Sequence, residues 1–333
     1  MALKSGKLPP ELLKKLIKKY PGGRDRRVLL GPSLGEDAAV VKLGRHLLVL
    51  KTDPVTYASD LIGWYAVNVN ANDVVTRGAT PAWFQAAVLL PVGSDESLAE
   101  DIFKQISKAA QELDVAVTGG HTEVTPGIDR PIVVGDMHGV VEEDLVRTSG
   151  AKPGNALVMT KCAGIEGTAA IARERRKELL EVYDEAFVNR AARYLFKPGL
   201  SVVREARIAL SFCVTSMHDP TEGGVAMGVQ EMAEASGSSV ELLTDEVIVR
   251  KETRAICAKY GLNPLGLLGS GALLAAFKPE DAERYVSVVH RVGIDAAIVG
   301  RIVAGKNRSK AVSRGGTTPL SFSERDEVLK VLQ

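Results

Sequence analysis

Residues 59–81 read SDLIGWYAVNVNANDVVTRGATP, and the rest of the chain is organised around them. Ser59 and Asp60 carry side-chain oxygens that cap a helix N-terminus. Gly78 and Pro81 predict a stop near Arg77, because glycine suits the C′ position and proline cannot continue a helix. Leu61, Trp64, Tyr65, Val67, Val74 and Val75 give the helix ample apolar surface, yet Asn68, Asn72 and Asp73 sit among them. Asn68 and Asn72 are four apart and share a face. Amides in such surroundings need partners, since a buried polar group left unpaired costs about 1–3 kcal/mol. Two readings of the polar residues stand. In one, the amides bond neighbouring backbone and Asp73 pairs with Arg77 at i,i+4. In the other, Asp73 points from the helix into a metal–phosphate site.

The bulk properties narrow the field. A chain of 333 residues has room for one large or two medium domains. Hydrophobic residues at 45% and charged residues at 25% describe a globular protein, and a net charge of +1 argues against nucleic acid or acidic membrane as partner. Lys14, Lys15, Lys18, Lys19, Arg24, Arg26 and Arg27 form the only basic clusters and read as a solvated face. No apolar run approaches the ~20 residues that span a bilayer, and the N-terminus lacks a signal-peptide core, so the expected location is cytoplasmic. Cys162, Cys213 and Cys257 make no CxxC pair and indicate neither disulfides nor a zinc site.

Upstream of the central helix, Glu11 to Tyr20 is predicted as a helix. Strands Ala38 to Lys42 and Leu47 to Lys51 form a hairpin about Gly44-Arg45. Antiparallel pairing brings Glu36-Asp37, before one strand, close to Asp53, after the other. Downstream, Ala82 to Leu90 is a strand, a helix capped by Ser94 or Asp95 runs to Leu113, and Val115 to Thr118 ends in Gly119-Gly120. Pro131 to Val141 closes the first half. Helices crossing between strands predict an α+β layer with helices on one face. Lys152-Pro153-Gly154 marks a turn between a domain of residues 1–150 and one of 151–333. The second half again mixes strands with helices. His218-Asp219-Pro220-Thr221-Glu222-Gly223-Gly224 opens a long helix closed by Gly237. The tail from Asn307 onward carries no clear pattern.

Gly119-Gly120, Gly223-Gly224 and Gly269-Ser270-Gly271 are three glycine loops through which backbone N–H groups can approach a phosphate. The DPTEGG loop adds a helix N-terminus and so a partial positive charge. There is no GxxxxGK[ST], and no GxGxxG after a first strand, so neither a P-loop nor a Rossmann site is indicated. Asp37, Asp53, Asp73 and Asp219 each stand near the end of an element. Hard oxygen ligands of this kind suit Mg2+ in phosphoryl transfer. His121 and His218 lie at glycine-rich loops and are the candidate catalytic residues. No GxSxG occurs.

These motifs resemble those of the superfamily that contains AIR synthase (PurM), the hydrogenase maturation factor HypE, selenophosphate synthetase and thiamine-monophosphate kinase. GEDAAVV (35–41) looks like the family's G-D-D-A-A strand, and KTDP (51–54) like its T-T-D. NDVVTRGATP (72–81) is similar to N-D-[LIV]-x-x-M-G-A-x-P, and GGHTEV (119–124) takes the G-G-[DEH]-T position. In the second half HDPTEGGVAMGVQEMAEASG (218–237) and GLNPLGLLGSGALLAA (261–276) look most like HypE.

The resemblance implies a two-domain fold, a PurM-like N-terminal domain that dimerises through its strands and a PurM-like α/β C-terminal domain. It implies a homodimer that binds ATP and Mg2+. Carried over by position, Asp37, Asp53 and Asp73 become metal or phosphate-side ligands, Asp219 a further metal candidate and Asn72 an ATP-site residue. Gly119, Gly120, Gly223 and Gly224 join the cofactor-binding set. Asp73→Ala is then expected to lose metal-dependent ATP binding with its fold intact.

Two departures stand out. His121 replaces the Asp of HypE-like relatives, and a neutral imidazole is a poor Mg2+ ligand. HypE carries its acceptor cysteine on a C-terminal tail, where this sequence reads DEVLKVLQ. All three cysteines fall within or beside predicted elements, where burial makes a thiol a poor nucleophile, so none is expected to serve as acceptor. Selenophosphate synthetase needs a Cys or Sec near the N-terminus, and none occurs here. The resemblance therefore implies an ATP-dependent, HypE-like enzyme that activates an amide- or carboxyl-type oxygen of an unknown small-molecule or protein acceptor. The alternatives are a non-catalytic nucleotide-binding paralogue and a small-molecule kinase like thiamine-monophosphate kinase.

Overall fold

Helix α2 (Ile62–Val75) is buried at every residue but Val69. It is apolar on nearly all sides, which suits a helix enclosed by its neighbours. Its N-cap differs from the expectation: Leu61 takes that place with φ +55° and no side chain caps the helix, while Asp60 stands one residue too early. Ser59 lies outside the described residues. The C-terminal end follows the sequence signal, with Thr76 as C-cap and Gly78 at φ +77°. The structure, a computed structural model, describes residues 8–33, 35–56, 60–306, 308–323 and 325–332. These form two units. One comprises Arg26–Gly31 and Asp37–Leu145; the other takes the chain up to Asp25, Pro32–Glu36 and the chain from Val146 onward. The sequence placed all of 1–150 in a single domain, whereas the helix α1 (Pro10–Lys19) belongs with the second unit.

The first unit is a six-stranded sheet in the order β1-β2-β3-β6-β4-β5. Its strands are β1 (Val28–Leu30), β2 (Ala39–Leu43), β3 (His46–Val55), β4 (Ala79–Pro91), β5 (Ala116–Thr125) and β6 (Ile132–Val141). Strands β2 and β3 form the expected hairpin, with Leu43 opposite His46 and Ala39 opposite Leu50. Strand β1 carries no alternation strong enough to announce it. Strands β4 and β5 run parallel, so their connection must cross over; helix α3 (Glu96–Glu112), capped by Asp95 through the Leu98 N–H at 3.0 Å, makes that crossing.

Strand β6 alternates strictly between half-buried and buried residues. Its buried face meets α2 at glycines. A Cβ on Gly135 would lie 2.4 Å from Asn70 Nδ2, and one on Gly139 would lie 2.5 Å from Val74 Cγ1. Only glycine lets the helix sit this close to the strand. Strand β5 is an edge strand exposed from Ala116 to Val124, and Gly119-Gly120 lies within it rather than in a loop. The sequence misplaced this pair because glycines usually end strands.

The second unit holds a seven-stranded sheet in the order β13-β12-β9-β11-β7-β10-β8. Its strands are β7 (Ala156–Thr160), β8 (Ser216–His218), β9 (Ser239–Leu243), β10 (Leu274–Phe277), β11 (Ala296–Val303), β12 (Lys310–Ser313) and β13 (Gly316–Pro319). The helices are α4 (Ile165–Glu174), α5 (Arg176–Leu180), α6 (Glu185–Ala192), α7 (Val203–Leu210), α8 (Gly224–Ser236), α9 (Lys251–Tyr260), α10 (Pro279–Arg291) and α11 (Leu329–Leu332). Leu157, Met159, Val229, Met232, Leu274 and Val299 share one core cluster. A second cluster joins Ile171, Val188, Ile256 and Leu267 to Val328 and Val331 from the tail. The tail that lacked a pattern thus supplies a hairpin and an anchor. No helix of the described residues is long and apolar enough to cross a membrane.

Candidate functional site

In the first unit the charged residues gather where α2 passes over β3. Lys51 and Asp53 are two apart on β3 and so share a face. Lys51 Nζ lies 2.8 Å from Asp73 Oδ2 on α2 and 3.6 Å from Asp53 Oδ2. Asp73 is buried, whereas the Asp53 side chain keeps 38% of its surface open. Asp37, at the start of the hairpin, accepts from Arg77 at 3.2 Å, and Arg77 is fully buried. Neither cation's partner follows from sequence spacing. The i,i+4 pairing of Asp73 with Arg77 is not what forms, because Arg77 turns to Asp37 and Asp73 to Lys51.

Electrostatics ties the three carboxylates together. Burial pushes the Asp73 carboxyl up to about 6; Lys51 opposes this, and Asp37 and Asp53 add to it. Burial alone would depress Lys51, but Asp73 and Asp53 outweigh it and hold the ammonium well above the ordinary lysine range. The hairpin therefore brings Asp37 and Asp53 into one field with Asp73.

Three asparagines line α2. Asn68 Nδ2 donates to Trp64 O at 2.9 Å, the backbone bond expected of a packed amide. Asn72 is fully buried. Asn70, which the sequence did not single out, donates to Ala66 O at 2.8 Å and to Asp53 O at 3.3 Å, tying the helix to the strand that carries Asp53. Its Oδ1 is buried and has no hydrogen-bond partner among the described residues. On the other side of the sheet Thr52 donates to Asp136 at 2.9 Å, and His138 lies 3.2 Å from Asp136. His121 stands exposed on β5, 3.0 Å from Glu123. Gly119 and Gly120 precede it on the same strand.

In the second unit His218 ends β8 and is buried, with Nε2 2.9 Å from Glu231 on α8. Asp219 follows it and is 1% exposed. Gly223 and Gly224 open α8 with φ of +76° and +59°. The anion that the Gly223 N–H holds here is internal: Asp326 Oδ2 accepts from it at 2.7 Å, while Oδ1 accepts from Leu268 N at 3.1 Å and Val328 N at 2.8 Å. Burial pushes the Asp326 carboxyl up to about 6 against these three donors. Glu36 accepts from Thr148 N and Ser149 N, both at 3.2 Å. Neither carboxylate could be assigned from sequence, because each accepts from at least one backbone group more than a hundred residues away.

Cys162 and Cys257 are buried, and burial pushes both thiols up to about 12. Cys213 departs from the expectation. It lies in the turn after α7 and is exposed.

Two family models match the chain. The N-terminal domain of AIR synthase related protein matches residues 35–141, and the C-terminal domain matches residues 152–312. A carbamoyl dehydratase HypE of Azotobacter vinelandii is 30% identical over 82% of this chain and 80% of its own length.

The chain belongs to the AIR synthase related protein family.

A further family relative, a provisionally named hydrogenase expression/formation protein of Methanocaldococcus jannaschii, is 28% identical over 89% of this chain and 88% of its own. The fold corresponds to that of hydrogenase maturation protein HypE solved in complex with ATP, with a TM-score of 0.73, 24% identity and coverage of 95% and 96% of the two chains. Within the family, the resemblance read from motifs and the two-domain PurM-like fold are thus both established. Asp37, Asp53, Asn72, Asp73, Gly119, Gly120 and His121 fall in the N-terminal match; His218, Asp219, Gly223 and Gly224 fall in the C-terminal one.

Proposed function

We propose that the chain is an ATP- and Mg2+-dependent enzyme of the HypE type, which phosphorylates an amide- or carboxyl-type oxygen so that it leaves as phosphate. The observation that carries this proposal is that Asp53 and Asp73 converge on one ammonium, Lys51, while Arg77, next to the end of the helix that carries Asp73, holds Asp37. Carboxylates drawn from a loop, a strand and a helix are hard oxygen ligands of the kind that suits Mg2+. Asp53 is the most open of them and Asp73 the most buried. A bound Mg2+ would neutralise phosphate charge. The residues of the chain do the positioning: Arg77 fixes Asp37, Lys51 fixes Asp73, and Asn70 fixes the backbone of Asp53.

His218, oriented by Glu231, and His121, beside Glu123, are the groups proposed to move protons. The acceptor is another molecule rather than Cys162 or Cys257, whose buried thiols are poor nucleophiles at neutral pH. We place the active form as a homodimer. In support, β5 is a bare edge strand with Val117 and Val124 51% and 57% exposed, and Trp83 beside it on β4 is 41% exposed. Sedimentation is expected to give twice the chain mass; a monomer at micromolar concentration would contradict the dimer.

A second reading, a nucleotide-binding protein without turnover, draws support from Lys51 and Arg77, which already balance two of the three carboxylates. Release of phosphate from ATP with Mg2+, measured alone and with a panel of amides and carboxylates, separates the two. Stimulation by one compound class supports the enzyme. Tight nucleotide binding with no release under any condition would favour the second reading.

A further inference from the structure

Lys51 is unlike the other cation of the cluster. Arg77 has no exposed side-chain surface, and its Nη2 donates to Asp37 at 3.2 Å and to Thr76 Oγ1 at 3.3 Å. Lys51 keeps 18% of its side chain open, and its flexible four-carbon stem ends in a compact point charge. That charge stands between two carboxylates at once, 2.8 Å from Asp73 and 3.6 Å from Asp53. One oxygen from each carboxylate therefore already faces a shared cation.

We propose that Lys51 is the resident counter-ion of this acidic cluster, and that a divalent cation takes its place between Asp73 and Asp53 only when the ammonium swings out. The inference rests on the reading of Asp37, Asp53 and Asp73 as a cation-binding set, and it adds a property of this chain's own lysine. An ammonium and a dication repel each other across a few ångströms, so the two do not share the same pair of oxygens. Removing a divalent cation returns the lysine rather than leaving bare carboxylates. The displaced ammonium gains new partners when a triphosphate arrives with the metal. Cation and nucleotide then bind far better together than either does alone.

The test is direct binding of Mn2+ without nucleotide, followed by loss of the free-ion electron paramagnetic resonance signal in the wild-type chain, Lys51→Met and Lys51→Arg. Lys51→Met is expected to bind Mn2+ about tenfold tighter or more, because a fixed positive charge has gone. Lys51→Arg, which keeps the charge, is expected to bind no tighter than wild type. Thermal melting gives a second readout: Lys51→Met should melt lower in EDTA and recover with Mg2+ by more than wild type gains. Equal Mn2+ affinity in wild type and Lys51→Met would overturn the role of Lys51 and leave the metal reading standing. Absence of Mn2+ binding in all three chains, folded and with nucleotide present, would overturn both.

Discussion

Lys51 Nζ lies 2.8 Å from Asp73 Oδ2, joining strand β3 to the buried helix α2. The pair fixes the helix on the sheet and holds the most buried carboxylate of the site in place. It also revises the expectation that Asp73→Ala keeps its fold, since truncation would strand Lys51 without its main partner.

The pair sets the first prediction. In EDTA, Lys51→Met and Asp73→Asn should each lose roughly 3–5 kcal/mol of stability, because each leaves a charge in a mostly buried place. The double variant should lose less than the sum, with a coupling of about 0.5–3 kcal/mol. Urea unfolding of the four chains gives these values. Strict additivity would show that the pair contributes nothing as a pair.

A second prediction concerns Asp326, whose buried carboxyl is raised from 3.8 to about 6. The folded chain then holds a proton between about pH 4 and pH 6 that the unfolded chain has released. Stability from this group is therefore present below the unfolded value and falls as pH rises through the folded one. The rise from 3.8 to about 6 corresponds to about 3 kcal/mol. Asp326→Asn should remove that part of the decline, so denaturation at pH 4 and pH 7 should show wild type losing more than the variant. Wild type gaining on the variant over this range would contradict the assignment.

The thiols give a third. In the native chain only Cys213 should react promptly with a thiol reagent at neutral pH, and all three cysteines should react in denaturant. Fast native reaction of Cys162 or Cys257 would contradict their burial.

Much of the frame was legible in residues 59–81 and the motifs around them. Helix α1 (Pro10–Lys19) lies within one residue of its expected bounds, and Gly78 and Pro81 stop α2 where a helix must stop. The hairpin about Gly44 was readable because its two apolar strands flank a short turn. The carboxylates stood out because they sit at element ends. Their partners did not. Lys51 and Arg77 meet Asp73 and Asp37 across the fold, and pairing between distant elements leaves no periodic trace. The same holds for Asp326, which accepts from the distant backbone N–H groups of Gly223 and Leu268. Gly119-Gly120 misled for the opposite reason, since a local turn signal was overridden by pairing with β4.

Calorimetric titration of ATP into the wild-type chain and Asp53→Asn, with Mg2+ and with EDTA, tests the site most directly. Asp53 is the most open of the three carboxylates, so its replacement tests the ligand set with the least disturbance to the fold. Binding in Mg2+ that is lost in EDTA and weakened about tenfold or more in Asp53→Asn is the predicted result. Affinity unchanged by EDTA, or unchanged in the variant, would contradict the site.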